Sequence, residues 1–325
     1  MKRKYALSDI VTASALGLGL AFSCHGASAQ DVTSNVTVTQ QGNRNTAYAE
    51  QYAVTTPNTG GQVTIAQIGD DNHVGGPGAT SAGVIQLDNR APVVAQVQQT
   101  GTGNHAGITQ TGLGGVFTVS GAITQYGRDN DATLRQADAS DIVATIEQTG
   151  SANIASVDQR GGQASLATVQ NGVGNRLTID YGGGPFGGPR VRQDGEGNSA
   201  AVFGYGVTIG GGPVIEQSGS FNGASTTQSF LYQGQTGIRQ QGTVNRADTT
   251  QTGSFQTLSV DQNGSGNLAS IVQEAPGTEL QIDSNAAVIA QLGNSNTAIV
   301  RQVGGGYQAN VNQVGANNYT NIYQH

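Results

Sequence analysis

The sequence predicts an all-β fold, a β-solenoid of about twelve stacked strand-turn-strand repeats. Three observations carry that expectation. The stretch QTGSANIASVDQ (148–159) returns as QNGSGNLASIVQ (262–273), and ten further copies of the pattern lie along the chain. Within each copy, apolar and amide residues alternate with polar ones at period two, as in a strand with one buried face. The spacing inside a copy is fixed, whereas the spacing between copies is not.

In chain order the first element is a leader. Lys2, Arg3 and Lys4 form a basic start, residues 13–22 are apolar but too few to span a bilayer, and Ala27-Ser28-Ala29 has the small-x-small form of a cleavage site. Residues 1–29 therefore read as a secretory signal peptide, and 30–325 as a single repeat domain. Cys24 suggests lipid attachment instead, but Ala21-Phe22-Ser23 is a poor lipobox. Beyond residue 29 there is no cysteine, which excludes disulfides and thiolate-bound metal. Cleavage removes Lys2, Arg3, Lys4 and Asp9, leaving eleven cations, all Arg, against twenty carboxylates. That balance argues against nucleic acid as a partner. No later apolar run has the length of a membrane helix, so no integral membrane segment is expected. With 36% hydrophobic residues, no Trp and 50 Gly, the chain needs a core built from more than aliphatic side chains.

The repeat supplies one. With the first Gln of each copy numbered zero, copies start at Gln40, Gln67, Gln99, Gln125, Gln148, Gln170, Gln193, Gln217, Gln240, Gln262, Gln291 and Gln313. Gly stands at +2 and Asn at +5 in all twelve; position −2 is Val or Ile except at Thr168; +7 is Ala in nine; +11 is Gln in nine. The copies at Gln67, Gln170 and Gln193 carry Gly78, Tyr181 and Gly204 at +11. The first strand ends near position zero, with outward residues such as Glu147, Arg192, Glu216, Arg239 and Asp261 at −1. Gly at +2 and Asn at +5 bracket a turn, because Gly tolerates positive φ and Asn tolerates the left-handed region while bonding nearby backbone. A closing strand follows through +7, +9 and +11. Every insertion falls between copies, so the second turn is the variable edge, and the Gly- and Pro-rich stretches 75–83, 182–189 and 210–213 read as surface loops there.

A two-strand unit is marginal alone and has to stack on its neighbours. At about 4.8 Å per rung, Gln and Asn amides lie above their own copies and satisfy one another along the axis. The amide-ladder and turn positions are then Gln40, Gly42, Asn45 and Gln51; Gln125, Gly127, Asn130 and Gln136; Gln148, Gly150, Asn153 and Gln159; Gln240, Gly242, Asn245 and Gln251; Gln262, Gly264, Asn267 and Gln273; and Gln291, Gly293, Asn296 and Gln302. The copy with Gln313, Gly315, Asn318 and Gln324 offers a self-assembly edge, since an open strand edge is a template for another chain.

The pattern Gln-x-Gly-x-x-Asn-x-Ala-x-x-x-Gln, as in Gln125, Gly127, Asn130, Ala132 and Gln136, resembles the curlin repeat of bacterial curli subunits, from about Ser34 to Gln324. The resemblance implies an amyloid-forming solenoid: a secreted structural subunit of extracellular fibres at the bacterial cell surface, serving cell adhesion and biofilm matrix. It implies as partners the chain itself as a homopolymer, other curlin-repeat subunits or a nucleator, and an outer-membrane secretion machinery. On this reading the protein is no enzyme and needs no cofactor or metal. The alternative is a non-polymerising secreted β-solenoid that binds carbohydrate or another surface ligand. A flat ice-binding face would want regular outward Thr rows, and position −1 does not supply them.

Other signals reduce to the repeat. Gly195, Gly197 and Ala200 fit a dinucleotide fingerprint, but so do Gly101, Gly103 and Ala106, and Gly264, Gly266 and Ala269, with no helix pattern after any of them. His73 and His105 read as surface turn residues, without metal-ligand spacing. The acidic pairs Asp70-Asp71, Asp129 with Asp131, and Asp138 with Asp141 fall in turns of different copies and read as solvating groups that slow premature association.

Overall fold

The structure, a computed structural model, describes residues 13–16, 35–52, 61–75, 82–87, 89, 92–114, 119–183, 187–207, 209–210, 212–230, 232–275 and 284–325. Among these there is no helix, and parallel sheets form a β-solenoid of about 11 turns. The chain divides into two compact units, Met1–Gln163 and Ala164–His325.

In the first unit the leading strands Asn35–Gln41, Gln62–Asp70, Val93–Thr102, Val119–Arg128 and Val143–Ser151 form one parallel sheet, and Ala13–Leu16 runs alongside Asn35–Gln41. The closing strands form the second: Thr46–Ala47 with Ala49–Tyr52, His73–Val74 with Val84–Leu87, His105–Thr111, Asp131–Ala137 and Ile154–Gly161. In the second unit the leading sheet runs Ser165–Val173, Arg190–Glu196, Val214–Ser220, Tyr232–Thr243, Thr257–Ser265, Ala286–Asn294, Gln308–Ala316. Its closing sheet runs Arg176–Gly183, Ser199–Val207, Gly223–Ser229, Arg246–Thr252, Leu268–Glu274, Thr297–Val303, Tyr319–Gln324.

Register follows the motif: Gln99, Gln125 and Gln148 stand opposite one another, and so do Gln240, Gln262, Gln291 and Gln313. Each strand therefore buries the same columns. Val38, Ile65, Val97, Ile123 and Ile146 form one aliphatic column at position −2 of the first unit, all but inaccessible to solvent. The Ala at +7 keeps the interior thin; Ala106, Ala132, Ala224, Ala247, Ala269 and Ala298 are all buried. A small cluster of Val93, Leu113, Val119, Ala139 and Ile142 adds an apolar core at the second turn of the first unit.

The Gly at +2 meets a stronger constraint than positive φ. At Gly127 φ is 120°, and a Cβ added there would lie 2.0 Å from the carbonyl oxygen of Gly150 in the next rung. The same 2.0 Å approach recurs at Gly195, Gly219, Gly242, Gly264 and Gly293. Only Gly lets successive turns nest at this spacing. Position +4 is left-handed throughout, occupied by Asp71, Asp129 and Ala152 in one unit and by Phe221, Val244 and Ser295 in the other. Asp suits that conformation; Val244, β-branched with φ 57°, is an outlier held by the stack.

Two readings of the insertions need correction. The stretch 75–83 does not lie at the second turn: it interrupts the closing strand between Val74 and Val84, with Gly75 and Gly83 in contact at its base. The rung of Gln67 consequently does not lack its closing Gln. Gly78 lies outside the described residues, and Gln86 takes the position, opposite Gln51 and Gln110. Of the other two stretches, the described ends are packed: Gly188, Pro189 and Pro213 are buried, and Ala167 donates its backbone N–H to Pro189.

Candidate functional site

The repeat concentrates its chemistry in three columns of amides. In the leading sheet of the first unit, Nε2 of Gln40 donates to Oε1 of Gln67, and the same bond follows from Gln67 to Gln99, Gln99 to Gln125, and Gln125 to Gln148, at 2.6–2.8 Å. The second unit repeats it from Gln170 through Gln193, Gln217, Gln240, Gln262 and Gln291 to Gln313. The closing sheets carry a second ladder: Gln51, Gln86, Gln110, Gln136 and Gln159 in one unit, and Gln228, Gln251, Gln273, Gln302 and Gln324 in the other. In every bond the donor is the rung nearer the N-terminus.

The Asn column runs the other way. Nδ2 of Asn104 donates back to Oδ1 of Asn72, Asn130 to Asn104, and Asn153 to Asn130. The second unit shows the same from Asn198 to Asn175 up to Asn318 to Asn296.

The backbone fixes both directions. From Gln67 to Gln148 and from Gln193 to Gln313, the second N–H of the leading Gln goes to a main-chain carbonyl, Gln125 to His105 and Gln240 to Gly223 among them. Within each unit the Asn Oδ1 also accepts a backbone N–H from the next Asn in the column, as Asn104 does from Asn130 and Asn296 from Asn318. Exchanging O and N on one amide would break its backbone bond and oppose like groups in the ladder, so orientation is set column by column. Each bond contributes about 1 kcal/mol net, and an unmet buried amide atom costs about 1–3 kcal/mol.

Where the closing ladder is interrupted, the cost is visible. Tyr181 stands in the place of a Gln, and its ring fills the space over Gly204, where a Cβ would lie 2.3 Å from Tyr181 Cδ2. Burial pushes the Tyr181 hydroxyl up to about 12, and that hydroxyl donates to Gly187 O at 3.2 Å. Gly204 has no amide to give, and Gln228 in the next rung is left with a buried Oε1 that accepts nothing. Gln51, in the first rung, has the same defect: its Oε1 is buried and unpartnered. At the last rung Asn318 and Gln324 are only half-buried, unlike Asn296 and Gln302 beneath them. Sequence spacing did not identify Gln86, or the second-turn amides Gln256 and Asn285, both fully buried.

The histidines are not turn residues. His73 and His105 open consecutive closing strands, paired in register with ring centroids 5.0 Å apart and Nδ1 of His105 buried without a partner. Burial, then the neighbouring His105, hold His73 below the usual imidazole range, with Asp71 opposing them. Thr46 Oγ1 contacts His73 Nδ1 at 2.7 Å, and Asp131 stands beyond His105 in register. The unfolded chain takes up this proton near pH 6.5, the folded chain only below that. The stability that neutral His73 contributes is full above about 6.5 and is lost as pH falls from there through its lower folded value. The melting temperature should drop between pH 7.5 and 5.5, and His73→Asn should narrow the difference; an unchanged difference would remove His73 as its source.

Most of the acidic pairs serve turns, but Asp131, in register with His105, opens the closing strand Asp131–Ala137 and is not a turn residue. Asp71, Asp129, Asp138 and Asp141 have positive φ, and Asp71 pairs with Arg44 while Asp70 accepts from the Asn43 backbone. Among the described residues no group of three or more His, Cys, Asp or Glu is placed to hold a metal, and no helix is long and apolar enough to cross a membrane. Compared with protein-family models and with curated proteins, the chain matches none.

Proposed function

We propose that the protein is a secreted structural subunit that assembles with itself into curli-like amyloid fibres outside the cell, for adhesion and biofilm matrix. The observation that carries this reading is the amide ladder: within both units each rung bonds through its Gln and Asn to the same residues of the next, so the edge of a rung is complementary to a copy of itself. Gln51 retains a buried acceptor without a donor, and Gln324 an amide whose recorded bond, to Gln308 O, uses one of its two N–H groups. The resemblance of the repeat to curlin supports the same function, with a leader at 1–29, export through an outer-membrane machinery, and other curlin-repeat subunits or a nucleator as partners. No catalytic role, cofactor or metal belongs to this reading.

Protein exported and purified as monomer is expected to convert on incubation into fibres with a diffraction spacing near about 4.7 Å along the axis, and seeds should abolish the lag. Protein that stays monomeric for days at high concentration, still folded and β-rich, would instead favour a solenoid that binds carbohydrate or another surface ligand.

A further inference from the structure

The insertion between Val74 and Val84 shapes the surface beside it. Where it rejoins the strand, Ala82 and Gly83 wall a groove of about 310 Å³ on the outward face of the first unit's closing sheet. That volume falls at the lower end of the range of about 300–1,000 Å³ over which pockets take small ligands. Two columns in register line its floor: Gly107, Thr133 and Ser156, and beside them Thr109, Arg135 and Asp158. Strand alternation turns both columns away from the core, so the repeat leaves their identity open. Lacking a side chain, Gly107 opens the end beside Gly83, whose carbonyl accepts from the Ile108 N–H at 3.0 Å. Three rungs at about 4.8 Å make the floor about 10 Å long along the stack.

We propose that this groove binds a segment of an acidic polysaccharide, with one uronate carboxylate seated on Arg135 and the ring hydroxyls on Thr109, Thr133 and Ser156. Asp158 lies between two guanidinium groups: Arg135 donates to it through Nη1, at 3.1 and 3.2 Å, and Arg160 through Nε and Nη2, at 3.1 and 2.7 Å. Burial works against the Asp158 charge, but the bonds from Arg160 and the field of Arg135 hold its carboxyl below the usual carboxylate range. Two cations thus share one anion, and the cluster keeps a surplus positive charge in a chain whose net charge is −7. Because Arg135 meets Asp158 through Nη1 alone, its Nε–Nη2 edge is left for a second acceptor, and that edge matches the two oxygens of a carboxylate. The hydroxyls decide what carries that carboxylate. Those of Thr109, Thr133 and Ser156 bond no other described residue, and each both donates and accepts, as sugar hydroxyls do. Leu134 and Val157 line the groove but are each 2% exposed, so an apolar peptide side chain would find nothing to bury against. The site lies on the flank of the stack, and it stands whether or not copies of the chain assemble.

The test titrates trigalacturonate, its neutral methyl ester, acetate, inorganic phosphate and a tripeptide with a free C-terminal carboxylate into the protein, expressed from the full sequence and purified after export, by calorimetry. Trigalacturonate should bind, and its methyl ester about tenfold more weakly or worse, since esterification removes the charge that the Arg135 fork clasps. Arg135→Gln should weaken trigalacturonate binding by a similar factor, and Arg135→Lys should recover little of the loss, because a point charge cannot clasp both oxygens. Thr133→Val keeps the shape of the floor and should weaken binding about threefold or more. Arg135 is nearly half exposed and Thr133 faces outward, so the β circular dichroism and melting temperature of all three variants should stay close to those of the parent. No binding of trigalacturonate at millimolar concentration, or undiminished binding by Arg135→Gln, overturns the site. Undiminished binding by Thr133→Val, or acetate, phosphate or the tripeptide binding as tightly as trigalacturonate, makes the groove a general anion clamp and overturns the polysaccharide as its ligand.

Discussion

Gly219→Ala is expected to destabilise the second unit by more than about 4 kcal/mol, whereas Gly237→Ala, in the strand that pairs with it, should change stability by less than about 1 kcal/mol. The two glycines differ in what lies beyond them. An Ala Cβ at Gly219 would fall 2.0 Å from the Gly242 carbonyl oxygen and 2.9 Å from its carbon, both backbone atoms fixed in the ladder. Its φ of 112° adds strain that an L-residue rarely bears. Relief requires the rungs of Gln217 and Gln240 to separate, which breaks the bond between those amides and the Asn245 to Asn222 bond beside it. Nothing lies within 4 Å of the corresponding position at Gly237, an outward residue of Tyr232–Thr243. Denaturant unfolding of the two variants checks the contrast. Equal stability would mean that the turns do not nest as closely as these distances require.

Those distances also mark where a one-dimensional pattern stops being informative. The period of the motif reveals its columns, because a strand alternates faces and a stack superimposes equal positions; Gln125 over Gln99 follows from counting alone. The reason for invariant Gly at +2 does not follow. Positive φ explains a Gly or an Asn there, but the exclusion of every Cβ comes from a carbonyl about twenty residues further on, at a separation no spacing rule contains.

The same limit accounts for the misplaced residues. Counting eleven from Gln67 reaches Gly78, whereas the stack counts rungs and tolerates an insertion wherever the residues on its two sides meet, as Gly75 and Gly83 do. The sequence Val84-Ile85-Gln86 did hold a usable signal, since it repeats the apolar-x-Gln ending of Val157-Asp158-Gln159. Tyr181 and Gly204 look like two separate losses in the motif. In register they are one event, a large side chain accommodated by the absence of its neighbour's. The directions of the amide ladders leave no trace in the residue types, because Gln and Asn each carry both donor and acceptor. Only their backbone bonds decide which way each points.

Gln313→Ala combined with Gln324→Ala is expected to slow elongation on wild-type seeds by roughly an order of magnitude, while lowering the melting temperature of the monomer less than a fully buried internal pair does. On the self-assembly reading both residues offer ladder amides to an incoming copy, each worth about 1 kcal/mol, and together they bias docking by about tenfold or more. Within the monomer Gln324 is half-open to solvent, so water replaces part of what is removed there, whereas Gln313 is 4% exposed and accepts from Gln291, so one buried amide bond is lost from the monomer. The internal pair Gln193→Ala with Gln217→Ala should reverse the pattern. Gln193 donates to Gln217 at 2.9 Å and Gln217 to Gln240 at 2.8 Å, all three fully buried, so the double variant leaves an orphaned oxygen on Gln240 and cavities in the core. It should melt markedly lower yet elongate near the wild-type rate at temperatures where it is folded, since no docking group has changed. Seeded growth followed alongside thermal unfolding separates the two effects. If the internal pair slowed growth as much as the terminal pair while still folded, the template would lie along the flanks of the stack, in the outward residues of both sheets, and not at its ends.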